Sequence, residues 1–247
     1  MTKAGICLIS SFVFFIMPVP AQTLQVEGFI SGGGNLSKVQ SINDGFWQEP
    51  FPTLFIQGNV GYSISRRLGG GVGLTYYPIG IRRRFFPNEI RELDRPFYSA
   101  NITATRYHFM PHFYTWYVFP ENGRHFFSAS QLSLGLLYAK WTSTIGFFKT
   151  YETELNDGQI LRWQTESVVI PHTFLAIESR WDVRILHSKR HGLFGVLHVI
   201  KGINPIRTTT GTYSVGNASF KDQSKWVTYG DYLGLGVAYK WNWGKIW

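Results

Sequence analysis

Glu178, Arg180, Asp182 and Arg184 stand two residues apart, with Leu175, Ile177, Trp181, Val183 and Ile185 at the alternate positions. In a β-strand successive side chains point to opposite sides, so four ionisable groups of alternating sign share one face and an apolar row shares the other. Charges of opposite sign at this spacing can neutralise one another along the strand and across to its neighbours. Lys240 and Gln57, inward members of other alternating segments, could complete such a lattice. Unpaired buried charges cost several kcal/mol each, and pairing is the normal remedy. The first reading of the row is therefore a structural polar filling, and the second is a gated ion path.

Other residues invite chemistry and support it less. His108 and His112 are four apart, about 13 Å along a strand, too far for one metal ion. A helix would bring them together, but Pro111 lies between them. No third ligand stands at a suitable spacing, so no metal or cofactor is expected. Gly32 to Gly34 and Gly69 to Gly71 are not phosphate loops, because no G-K-[ST] follows. Ser128, Ser130, His125 and His172 could supply a Ser–His pair, yet no G-x-S-x-G is present and alternating strands scatter such pairs by chance. No enzymatic activity is expected. Arg82, Arg83 and Arg84, with Arg91 and Arg95, offer guanidinium forks suited to phosphate, hence a contact to lipopolysaccharide. Glu89, Glu92 and Asp94 dilute that charge, and a solvated loop is the plainer reading.

The elements that must position these groups are strands. Tyr232 to Trp243 alternates most cleanly, with Leu233, Leu235, Val237, Tyr239, Trp241 and Trp243 on one face and small or polar residues on the other. Eight such segments can be marked: Leu24 to Gly34, Leu54 to Ile64, Gly71 to Tyr77, a strand starting near Phe97, Phe126 to Trp141, Val168 to Ile185, Leu193 to Ile203, and Tyr232 to Trp243. Between Arg106 and Phe113 the phase of the fourth is unreadable, and Pro111 predicts a bulge or rim bend. Short turns at Arg66 to Gly70, Pro120 to Gly123 and His187 to Gly192 alternate with long connections. This is the rhythm of an up-and-down antiparallel barrel with turns at one end and loops at the other. Thr208 to Tyr213, in the last long connection, could hide a further pair and make ten strands.

Bulk properties set the location. Lys3 followed by the apolar run Ile6 to Met17, then Pro18, Pro20 and Ala21, reads as an export signal over residues 1–21, with the cut before Gln22. Residues 22–247 then form one barrel domain. The single cysteine, Cys7, lies within the apolar run, so no disulfide staples the mature chain. After Ala21 no apolar run is long enough for a membrane helix, yet 44% of the chain is hydrophobic and 17% aromatic. Only helices and closed barrels satisfy their backbone groups inside a bilayer. An exported, aromatic-rich, alternating chain is thus an outer-membrane barrel or, with its apolar faces turned inward, a soluble calyx. The formal charge of +9 points to anionic lipid rather than nucleic acid, given export. Placing the strand-six arginines against lipid would cost roughly 2–4 kcal/mol each at the midplane, which sends the charged face to the lumen. Tyr114 to Phe119, Trp141, Trp163, Trp241 and Trp243 are expected in interfacial girdles.

Gly58-Asn-Val-Gly-Tyr-Ser-Ile-Ser, Tyr117-Val-Phe-Pro-Glu-Asn-Gly and Gly234-Leu-Gly-Val-Ala-Tyr-Lys-Trp resemble segments of the small outer-membrane β-barrel proteins of the Bacteroidota, the PorT-like group. Gly236, Tyr239, Trp241 and Trp243 are similar to the terminal signal that barrel-assembly machinery reads, although Gly244 to Trp247 extend beyond it. The resemblance implies an eight-stranded all-β transmembrane barrel in the bacterial outer membrane, and the even strand number puts both mature termini on the periplasmic side. It also implies contact with outer-membrane lipid and assembly machinery, and links to secretion or motility machinery. The expected role is structural or interactive, with a lumen plugged by polar and charged side chains. The alternatives are a narrow small-solute pore, a lipid-modifying enzyme and a soluble ligand-binding calyx.

Overall fold

The computed structural model describes residues 23–41, 46–79, 81–85, 97–101, 109–120, 130–140, 146–155, 158–169, 173–188, 190–217 and 221–245. Fourteen strands follow one another: β1 Thr23–Ser41, β2 Phe46–Glu49, β3 Phe51–Ser63, β4 Leu68–Tyr76, β5 Ile81–Phe85, β6 Phe97–Asn101, β7 Phe109–Val118 and β8 Gln131–Lys140, then β9 Gly146–Glu154, β10 Ile160–Val169, β11 Thr173–His187, β12 His191–Gly202, β13 Arg207–Val215 and β14 Lys221–Lys245. Eight of them close into an antiparallel barrel in the order β1-β3-β4-β7-β8-β11-β12-β14, with β14 pairing back onto β1. Closure removes the free edge that an open sheet would present. The chain is all-β and the barrel has eight strands, as the hairpin rhythm predicts.

Alternation decides which face is which. Along β3, Leu54, Ile56, Val60 and Tyr62 are exposed, while Thr53, Phe55, Gln57 and Asn59 are buried. The same split holds on β14, where Leu233, Leu235, Val237, Tyr239, Trp241 and Trp243 face out and Tyr232, Ala238 and Lys240 face in. Apolar side chains cover the outside, and polar side chains share the inside with buried aromatic and aliphatic ones.

The remaining strands extend the barrel at the end opposite the chain termini. Thr23 pairs with Lys245, so β1 begins where β14 ends. At the other end β14 continues past the barrel: Tyr232 to Trp241 pair with β12, whereas Lys221 to Thr228 pair with β13. Gly230 marks the change of partner. Its φ of 74° lies in the left-handed region, and a Cβ there would stand 2.9 Å from the Phe174 ring. Tyr77 fastens this bend by donating its hydroxyl to Gly230 O at 2.9 Å and to Asn35 Oδ1 at 2.5 Å. Beyond β13 lie β10 and β9, which form a hairpin of their own. β2, β5 and β6 make a separate three-stranded sheet.

Three expectations change. The fourth barrel strand is β7, not a strand starting near Phe97; Phe97 to Asn101 form β6 beside β5. Pro111 produces no bulge, because it pairs with Leu74 in unbroken register, and the β8 ladder starts only at His112. A residue without an N–H is tolerated where a ladder has yet to begin. The long connection between the Phe126 to Trp141 and Val168 to Ile185 segments is not simply a loop, since it contains β9 and most of β10. Thr208 to Tyr213 do form a strand, but β13 pairs outside the barrel and the barrel count stays at eight. Residues 1–22, which hold the expected export signal, and the turn beyond Pro120 lie outside the described residues.

Candidate functional site

The lumen is where the chemistry-bearing residues meet. β11 carries Glu178, Arg180 and Asp182 inward, all buried, with Ile177 and Ile185 on the outer face. Its register against β8 sets Arg180 opposite Ser133, and against β12 opposite His198. From the far wall, β1 supplies Glu27 and β3 supplies Gln57 and Asn59. β14 supplies Lys240 and β7 supplies His112 and Tyr114.

Arg180 is the hub. Its Nη1 lies 2.5 Å from Glu27 Oε1, and its Nη2 donates to Glu27 Oε2 at 2.7 Å. Nε and Nη2 donate to Asp182 Oδ1 and Oδ2 at 2.9 and 3.0 Å. Nη1 also donates to Gln57 Oε1 at 3.1 Å. A planar guanidinium thus engages two carboxylates in a bidentate manner, a geometry no lysine reproduces. Lys240 Nζ pairs with Asp182 Oδ2 and stands 3.6 Å from Glu27 Oε2. The two cations also lie over aromatic faces. Arg180 lies 4.9 Å from the Phe29 ring centre, and Lys240 lies 4.3 Å from that of Phe194.

A second chain of polar contacts leaves Glu178. Its Oε1 is 2.9 Å from His198 Nε2, and His198 Nδ1 is 3.2 Å from Ser31 Oγ. Ser31 Oγ also shares a hydrogen bond with the Tyr232 hydroxyl at 2.9 Å. Serine, imidazole and carboxylate in series form the layout of a hydrolytic triad. Here Ser31 is 1% exposed and His198 is fully buried, packed edge-on against Phe29, Phe55 and Tyr232. An acyl carbonyl needs room about 3 Å from the nucleophile, with oxyanion donors beside it. In this series His198 stands between Ser31 Oγ and the Glu178 carboxylate.

Above it, at the end where β14 bends, Phe55, Tyr77, Met110, Leu137, Phe174, Ile200 and Tyr232 pack as an apolar layer. Below it, Tyr114 stacks on Trp116 with ring centres 5.3 Å apart. Trp116 fits because β3 and β4 present glycine there: a Cβ on Gly61 or Gly69 would come within 2.7 or 2.1 Å of the indole.

Of the residues anticipated from sequence, Glu178, Arg180, Asp182, Lys240 and Gln57 are brought together. Arg184 follows them on β11 and is half-buried. Glu27, Asn59, His112 and His198 complete the lattice; period-two alternation on β1 and β3 places Glu27 and Asn59 inward, whereas His112 lies where the phase of β7 is unreadable. His112 accepts a hydrogen bond from Gln57 Nε2 at 2.8 Å, and Thr75 Oγ1 lies 3.2 Å from its Nδ1. Among the described residues no group of three His, Cys, Asp or Glu side chains is placed to hold a metal. Ser130 is buried; His108, His125, Ser128 and His172 lie outside the described residues.

The aromatic girdle is smaller than expected. Tyr117, Tyr239, Trp241 and Trp243 are exposed, and Trp241 and Trp243 pack at 5.0 Å. Tyr114 and Trp116 line the lumen instead, and Trp163 is buried in β10 beside Tyr151. Trp141 lies outside the described residues. Gly236 faces inward at the β1–β14 seam. Arg82, Arg83 and Arg84 run along β5, paired with Glu49, Gln48 and Trp47 of β2.

No protein-family model and no curated protein matches the chain. Among solved structures it is similar to the solid-state NMR structure of outer membrane protein AlkL in DMPC lipid bilayers, at 11% identity and a TM-score of 0.38, over 94% of this chain and 95% of that one. It is also similar to the crystal structure of outer membrane protein OprG from Pseudomonas aeruginosa, at 8% identity and a TM-score of 0.30, over 90% and 96% of the two chains. A third likeness is to the crystal structure of an outer membrane channel from Pseudomonas putida F1, at 11% identity and a TM-score of 0.28, over 92% and 97%.

Proposed function

We propose that this chain is an integral outer-membrane β-barrel whose lumen is held shut by its own side chains, with a structural or interaction role carried by its loop-end sheets. What supports the membrane location is the outer face. Leu235 is 70% exposed, and Val72, Phe109, Phe113, Leu134 and Ile185 are each more than half exposed. A contiguous apolar belt around a closed barrel is stable in hydrocarbon and is an aggregation hazard in water. The observation that carries the shut lumen is Arg180, buried at its centre and bound to Glu27, Asp182 and Gln57 from three strands.

Termini on the turn side would then be periplasmic. Tyr239, Trp241, Trp243 and Gly236 are proposed to serve the assembly machinery, and the arginines of β5 to meet lipopolysaccharide phosphates. The PorT-like resemblance adds secretion or motility machinery as the partner class. No catalytic step is proposed.

A narrow small-solute pore is the second reading, and one observation favours it. Side chains alone fill the middle of the barrel among the described residues, so a path opens by rotamer changes without displacing backbone. Fractionation tests the location: recovery in the outer membrane with a heat-dependent gel shift is expected, and recovery in the soluble periplasm overturns it. Planar-bilayer recording tests the lumen. A silent parent and a conducting Arg180→Ala/Asp182→Ala double variant are expected. Steady openings in the parent would overturn the shut lumen and establish the pore.

A further inference from the structure

Among the described residues the lumen packing leaves a gap. It lies between Asn59 on β3, His112 and Tyr114 on β7, Gly135 on β8, and Glu178 and Arg180 on β11. Its volume is about 10 Å³, the room one water-sized sphere requires. Besides Glu178 Oε1, which faces His198 Nε2 at 2.9 Å, two polar atoms on its lining have no hydrogen-bond partner within the protein: the Tyr114 hydroxyl and Asn59 Oδ1. Tyr114 is 5% exposed and Asn59 2%. The Asn59 amide nitrogen is already committed, donating to Glu27 Oε1 at 2.8 Å, so the side-chain orientation is fixed and leaves the carbonyl oxygen facing away from the carboxylate.

Leaving a buried donor or acceptor unmet costs about 1–3 kcal/mol for each group. Two such groups on one small cavity describe a ligand with both a donor and an acceptor. Charge excludes ions. A cation would face the guanidinium of Arg180, and an anion would face the carboxylate of Glu178. An apolar occupant would leave both polar atoms unmet. We propose that this cavity binds a single water molecule, which accepts from the Tyr114 O–H and donates to Asn59 Oδ1. The site lies on the seam between two unlike halves of the lumen, the stacked rings of β7 and the ion-pair lattice of β11. It joins them through hydrogen bonds that neither half supplies alone. The proposal is independent of whether the barrel conducts, and its test does not read conductance.

Tyr114→Phe removes the hydroxyl and keeps the ring that stacks on Trp116. If the hydroxyl holds a water, the variant loses hydrogen bonds, and the midpoint of the heat-dependent gel shift falls by roughly 2–4 °C. An unchanged or raised midpoint means the hydroxyl is an unmet group whose removal relieves the barrel, and overturns the proposal. The parent in lipid nanodiscs supplies a second measurement that needs no variant. Asn59, assigned by selective labelling, should show a nuclear Overhauser effect from a long-resident water to its side-chain amide. A dry Asn59 amide in the folded parent refutes the site whatever the variant does.

Discussion

Arg180 shows how much depends on a single side chain in an interior this narrow. An eight-stranded barrel is just wide enough for side chains to fill it, so each inward charge must find its counter-charge among inward neighbours. Among the described residues Glu27, Glu178 and Asp182 supply three inward carboxylates, and Arg180, Arg184 and Lys240 supply three cations, so these six formal charges balance. Arg180→Ala removes one cation and leaves Glu27 and Asp182 to share Lys240, and a buried pair broken from one side costs about 3–5 kcal/mol. The expected result is a large fall in the urea midpoint of the refolded protein. Adding Glu27→Gln should recover part of it, because the second substitution removes a stranded charge and leaves an amide that Asn59 and Lys240 can still approach. A double variant less stable than Arg180→Ala would show that Glu27 is held by groups other than Arg180. The alternating signs on β11 were legible from spacing alone. Lys240 and Gln57 were legible as inward members of other alternating strands; that Glu27 joins them was not, because it is a single polar residue on β1, 153 residues from Arg180 in sequence, and closure of the barrel brings the two together.

Strands differ in how plainly their phase is written. β3 and β14 carry aliphatic residues on one side and polar or small ones on the other, and both were readable. β7 carries Phe109, Phe113 and Tyr117 outward and Met110, Tyr114 and Trp116 inward, so both faces are greasy and alternation has no contrast. Pro111 adds a breaker signal that the actual ladder accommodates. β9 and β13 fail for the opposite reason: Thr150, Glu152 and Thr153, like Thr208, Thr210 and Thr212, are polar whichever face they occupy. The seam between β1 and β14 depends on glycine for a reason that periodicity cannot express. A Cβ on Gly236 would lie 2.2 Å from Ile30 O and 2.6 Å from Ser31 Cβ, a clash with backbone that no rotamer relieves. Gly236→Ala should therefore lower the yield of heat-shiftable barrel, while Gly58→Ala, where nothing lies within 4 Å, should not. Equal yields from the two would remove close backbone approach as the reason for glycine there. Truncation after Val237 makes a harsher cut. It strips the β14 residues that pair with Thr23 to Phe29 on one side and with His191 to Phe194 on the other. Membrane insertion should be lost, and normal insertion would separate closure from the terminal aromatic residues.

At the scale of the whole molecule, barrel and extension are connected economically. Among the described residues β9 pairs only with β10, β10 only with β9 and β13, and β13 reaches the barrel through the upper part of β14. The barrel ladder itself passes directly from β8 to β11, where Lys140 stands opposite Thr173. The 32 residues between them in sequence (141–172) therefore leave the barrel and return to a point one strand away. A connection of a few residues is enough to bridge neighbouring antiparallel strands. Removing 146–169 leaves 141–145 joined to 170–172, an eight-residue link over that short gap. The shortened chain should insert and keep its heat-dependent gel shift, since no barrel ladder loses a partner. What it should lose is whatever the extension recognises, including any binding to partner cells or proteins measured with the parent. If the shortened chain fails to form a heat-shiftable barrel, the β9–β10 hairpin is a folding element, with β13 and the upper part of β14 requiring it as a template. If it folds and keeps every interaction of the parent, the interaction role moves from this sheet to the β2–β5–β6 sheet, where the three arginines of β5 lie.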